Sequence, residues 1–121
     1  MALPKQYRLT RSKDFSRVYQ SDRQASTKHL VVKLMPSPRE QPYAGCSRFG
    51  ITISQKVSKR AVVRNRLKRQ VRAALQSLMP RLPSGLWVVI ILRTAAVECD
   101  YWQFLRELEQ LFLDLEVLDG H

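Results

Sequence analysis

Apolar positions change their period several times along the chain, and each change marks a new element. In DFSRVYQ, Phe15, Val18 and Tyr19 fall at i, i+3 and i+4, which puts them on one face of a short helix with Thr10 or Ser12 as its cap. Asp14 near its start and Arg17 further on suit the helix dipole. KHLVVKLMP (28–36) reads as a strand stopped by Pro36, and the Pro-, Ser- and Gly-rich SPREQPYAGCS reads as a hairpin connection. SRFGITISQK (47–56) alternates, with Phe49, Ile51 and Ile53 on one face and Arg48, Gly50, Thr52 and Ser54 on the other.

A long helix follows over 59–78, with Ser58 as its expected cap. Val63, Leu67, Val71, Ala74, Leu75 and Leu78 fill an arc of about 120° at 100° per residue, a stripe wide enough to face a core. Pro80 and the PSG at 83–85 end it. LWVVIIL (86–92) is apolar on both faces and so predicts a central strand. Asp100 then caps a last helix, with Gln103 placed as in a capping box and an apolar set of Trp102, Leu105, Leu108, Leu111, Phe112 and Leu115. The order α-β-β-α-β-α has no repeat and no linker. It predicts a single domain over 1–121, an α+β two-layer sandwich.

Composition narrows the function. A chain of 121 residues with 45% hydrophobic content can fold around one core without metal or disulfide staples. No apolar run approaches the ~20 residues of a membrane span, and the N-terminus lacks the apolar stretch of a secretory signal, so the chain is expected in the cytoplasm. Cys46 and Cys99 form no CxxC or Cys/His cluster, so two reduced thiols are expected and no zinc site. His29 and His121 are isolated and read as surface groups.

The net charge of +11 is unevenly spread. Residues 1–93 hold 20 of the 21 Lys and Arg against Asp14, Asp22 and Glu40, whereas from Glu98 onward seven acids face Arg106 alone. That separation points to a polyanion bound on one side. Between 56 and 72 there are eight cations and no acid, so intrahelical ion pairs are not their purpose. On the helical wheel Arg64, Lys68 and Arg72 form a strip beside the apolar stripe, while Asn65, Arg66 and Arg69 turn to the solvent side. The abundance of Arg suits phosphate oxygens and base stacking. With Phe15 and Tyr19 beside an open sheet, the pattern favours single-stranded nucleic acid, although core packing would explain the same two rings.

Cleavage chemistry is not legible. Metal-dependent nucleases cluster carboxylates, and no such cluster accompanies the basic strip. There is no histidine pair, P-loop or GxGxxG, so no catalytic residue and no metal ligand is assigned. On composition alone a ribosomal or general RNA-binding protein remains open, and a stand-alone nuclease is the weaker rival.

The segment GITISQKVSKRAVVRNRLKRQVRAAL resembles the signature of the bacterial ribonuclease P protein subunit, a strand ending in S-x-K followed by an R-N-R-x-K-R-x-x-R helix. LTRSKDFSRVYQ upstream and LWVVIILR with LEQLF downstream are similar to that family in order and spacing, over about residues 8 to 115. The resemblance implies an α-β-β-α-β-α fold with a left-handed β-α-β crossover. It implies a protein that binds a catalytic RNA and the 5′ leader of precursor tRNA, one protein per RNA, in Mg²⁺-dependent removal of the leader. The Mg²⁺ would be held mainly by the RNA. Matching positions place Phe15, Tyr19, Thr52, Arg64, Lys68 and Arg72 in the leader cleft, and Lys56, Asn65, Arg66 and Arg69 against the RNA subunit. Two positions depart from the family pattern: Lys33 stands where an aromatic is frequent, and Gln55 replaces a frequent Lys in S-x-K.

Overall fold

Seven consecutive apolar residues stay out of water only when both faces of their strand are covered and both edges are paired. In the computed structural model, which describes residues 5–38 and 47–118, strand β4 (Leu86–Leu92) holds that place. Strands β1 (Gln24–Ser26), β2 (Leu30–Pro36) and β3 (Arg48–Ile53) complete a four-stranded sheet of order β1-β2-β4-β3. β2 runs antiparallel to β4 from Leu30↔Leu92 to Pro36↔Leu86, and β3 runs parallel to it from Arg48↔Trp87 to Ile53↔Leu92. Parallel neighbours need a crossover, and helix α2 (Ala61–Leu78) supplies it.

The period-two alternation sorts side chains between two cores. Leu30, Val32 and Leu34 of β2 and Leu86, Val88, Ile90 and Leu92 of β4 join Leu67, Val71, Ala74, Leu75 and Leu78 of α2. Helix α3 (Tyr101–Asp114) adds Phe104, Leu108, Leu111 and Phe112 to this larger core. The opposite face carries a smaller cluster, where Trp87 and Val89 meet Leu9, with Val18 from helix α1 (Ser12–Tyr19). This is the expected layer of helices on a sheet, with α1 laid across the back. Eight residues cannot cover a four-stranded sheet. The cross-strand row Val31–Ile91–Thr52 stays half exposed on that face.

Several local expectations need correction. β2 and β3 flank β4 and do not pair, so the segment between them is no hairpin; its residues 39–46, Cys46 included, lie outside the described residues, as does His121. β1 went unpredicted because three residues carry no period, and its pairing with β2 makes it a strand. Helix α1 starts after Arg11 and α2 after Arg60, neither with a side-chain cap. Ser58 acts two residues earlier, where its Oγ accepts from Arg60 N at 3.2 Å. Asp100 caps α3 as expected, accepting from Gln103 N at 2.9 Å. Trp102 is 66% exposed, since at 100° per residue it points about 160° away from Phe104, which takes the core position. His29 is buried, held to Glu107. Among the described residues no helix is long and apolar enough to cross a membrane.

Candidate nucleic-acid interface

β3 is an edge strand, and what covers its free side defines the site. The N-terminal segment reaches it through a parallel bridge between Arg8 and Phe49, with Leu9 N donating to Phe49 O at 2.9 Å. One residue along, Gly50 lets α1 come close. A Cβ there would lie 2.4 Å from the Phe15 ring, so only glycine accepts the ring in this position. α2 approaches the same edge with Lys68 and Arg72, one turn apart.

Between these parts lies an open cavity of about 290 Å³, lined by Arg8, Leu9, Thr10, Phe15, Phe49, Gly50, Ile51, Lys68 and Arg72. It has an aromatic wall, an apolar floor and cations at the rim. Those are the components that hold a phosphodiester chain with an unstacked base, because the ring takes the base and the cations take the phosphates. No carboxylate lines it, so its donor set does not fit Mg²⁺, which demands oxygen ligands.

The wheel separated the cations correctly. Arg64, Lys68 and Arg72 are half-buried along the edge, whereas Lys56, Asn65, Arg66 and Arg69 are exposed. Among the described residues, no cation between 56 and 72 pairs with a carboxylate. Arg64 also braces the turn before α2, its Nη1 donating to Ser58 O at 2.8 Å.

The six residues expected in one cleft do not all line this cavity. Phe15, Lys68 and Arg72 do; Tyr19, Thr52 and Arg64 do not. Thr52 lies next to Gly50 on the same face of β3, one row towards the uncovered part of the sheet. Tyr19 stands at the far end of α1, 39% exposed, its ring 6.3 Å from that of Phe15 and tilted by 43°. Phe15 thus lines the cavity and Tyr19 stands outside it, one turn further along α1. Lys33, where the family pattern favours an aromatic, points its Nζ to Tyr19 O at 3.0 Å and so neutralises the negative end of α1.

Sequence reasoning missed Arg8, Leu9 and Thr10. They join the site through one long-range bridge, and no local pattern announces such a contact. Arg17, read from sequence only as a helix-dipole group, has its guanidinium 5.8 Å from the centre of the Trp87 ring.

Comparison with known proteins gives likenesses in sequence and in fold. The model of the Ribonuclease P family matches residues 3–116. The ribonuclease P protein component of Microcystis aeruginosa is 47% identical over 122 residues, covering all of both chains. That of a Cyanothece species is 46% identical over 135 residues, covering 98% of this chain and 99% of its own. Among solved structures, the RNase P protein of Staphylococcus aureus superposes with a TM-score of 0.79 at 25% identity, covering 93% of this chain and 98% of its own. The Thermotoga maritima RNase P protein gives 0.72 at 26% identity, covering 93% and 98%.

Proposed function

As the chain belongs to the ribonuclease P protein family, we propose that it binds the RNA subunit of ribonuclease P and the single-stranded 5′ leader of precursor tRNA while the RNA cuts the phosphodiester bond. The chain is a subunit of that tRNA-processing enzyme. The observation that carries the finer reading is Lys68 and Arg72 lining one cavity with Phe15 at the edge of β3, with half-buried Arg64 one turn before Lys68 on α2.

In this reading the leader runs through the cavity past Phe15, over Thr52 and towards Tyr19, with its phosphates along Arg64, Lys68 and Arg72. Lys56, Asn65, Arg66 and Arg69 face the RNA subunit. Two polyanions are brought together, and the cations between them lower the cost of approach. Contact with the leader favours precursor over product, because mature tRNA has lost the segment that fills the cavity. Mg²⁺ is held by RNA oxygens, as no Asp or Glu among the described residues lines the cavity. One protein joins one RNA, in the cytoplasm, and the chain contributes no catalytic group.

The test is cleavage of precursor tRNA at low Mg²⁺ by protein alone, RNA alone and both together. Correct cleavage only with both is expected. Cleavage by RNA-free protein would make the chain a nuclease and overturn the reading. An unchanged rate on adding protein to the RNA would reduce it to a general RNA binder.

A further inference from the structure

Away from the cationic edge, the fold gathers three side chains that the sequence keeps far apart. His29 precedes β2, Cys99 precedes α3, and Glu107 lies two turns into α3. Each offers one ligand atom, and these atoms lie within 4.8 Å of one another. From this geometry we propose that His29, Cys99 and Glu107 bind one thiophilic divalent cation of the Zn²⁺ class.

The donor set decides the class. A thiolate, an imidazole and a carboxylate together suit a borderline-soft ion, and Mg²⁺ takes oxygen donors instead. Three protein donors leave one tetrahedral position for water. The site is built: the side chains of His29 and Glu107 are 11% and 17% exposed, and Cys99 is 7% exposed. His29 Nδ1 and Glu107 Oε2 stand 2.7 Å apart, joined by a hydrogen bond. Two ligands on one tetrahedral Zn²⁺ sit about 3.3–3.6 Å apart, so the ion replaces that bond when the His29–Glu107 pair opens by about half an ångström and any pair near the 4.8 Å limit closes by about one.

A second layer already orients the carboxylate. Thr27 Oγ1 donates to Glu107 Oε1 at 2.5 Å and accepts from His29 N and Leu30 N, while Arg93 Nη1 fixes Thr27 O at 3.1 Å. Outer partners of this kind hold a ligand in one orientation and raise metal affinity. Burial pushes the Cys99 thiol up to about 11, helped by Glu107, Glu98 and Asp100 and opposed by Lys28. The same three carboxylates attract a cation, whose own charge favours the thiolate. Bound there, the ion would tie the entrance of β2 to the start and middle of α3.

The inference is independent of the RNA-binding reading and is tested on the purified, untagged full-length chain with Co²⁺ and Zn²⁺. One Co²⁺ per chain is expected, with a sulfur-to-cobalt charge-transfer band and tetrahedral d–d bands, both abolished by Zn²⁺. The band should survive Cys46→Ser and vanish in Cys99→Ser. No band in the natural chain, or one that persists in Cys99→Ser, overturns the proposal. Should Cys99→Ser fail to fold, Glu107→Gln decides, since it keeps an oxygen for Thr27. Zn²⁺ affinity at least tenfold weaker than in the natural chain supports the site, and unchanged affinity overturns it.

Discussion

The acids of α3 and the cations of α2 are both clustered like charges, yet they are treated in opposite ways. Glu107 is held by His29 and Thr27, Glu109 accepts from Arg81 at 2.6 Å, Asp114 from Gln110 at 2.8 Å, and Asp100 caps its own helix. Along 56–72, in contrast, no described carboxylate answers the cations. Charges that are satisfied inside the protein maintain the fold, while charges left facing outwards are kept for a partner. α3 is therefore a structural helix and α2 a divided one, with its apolar stripe in the core and its cations left without carboxylate partners among the described residues.

The sharpest way to break this comparison is to separate stability from binding. Phe104→Ala empties a fully buried site under α3 and should cost about 3–5 kcal/mol in denaturant unfolding. It should leave the RNA affinity of the remaining folded protein unchanged. On α2 the pattern should reverse for Arg66→Ala with Arg69→Ala: stability holds, and affinity for the RNA subunit falls about tenfold or more at low salt. The slope of log affinity against log salt should drop by roughly 0.7–0.9 for each lost phosphate contact. Equal slopes in variant and natural chain would take these two arginines off the RNA.

The remaining tests refine the boundary. Gly50→Ala forces the Phe15 ring aside, with a cost of about 1–3 kcal/mol from overpacking. It should also weaken precursor binding relative to mature tRNA, as measured by competition. Lys68→Ala should raise KM several-fold for a long-leader precursor and little for a one-nucleotide leader; equal changes would remove Lys68 from the leader path. Glu109→Gln breaks an exposed pair with Arg81 and should shift stability by less than about 1 kcal/mol. A larger loss there would show that the acidic side depends on that ion pair.

What the sequence disclosed and concealed follows from the range of the forces involved. The division of α2 into half-buried Arg64, Lys68 and Arg72 and exposed Asn65, Arg66 and Arg69 was legible because helix geometry fixes it within a few turns. The centrality of β4 and the Asp100 cap were legible for similar reasons. The placement of β4 between β2 and β3 was not, since strand pairing is settled across dozens of residues. The same distance hid Arg8 at the β3 edge and the meeting of His29, Cys99 and Glu107. The exposure of Trp102 was within reach, because the rotation per residue that sorted α2 also turns Trp102 away from Phe104.

The strand at the middle of the sheet is also the last one made. A ribosome delivers β1, β2, β3 and the whole of α2 before Leu86 emerges, and neither β2 nor β3 has its principal partner until then. The basic segment at 56–72 is therefore made before the sheet it packs on can close. Closure of the sheet comes as a single late event that converts a sticky polycation into a defined surface.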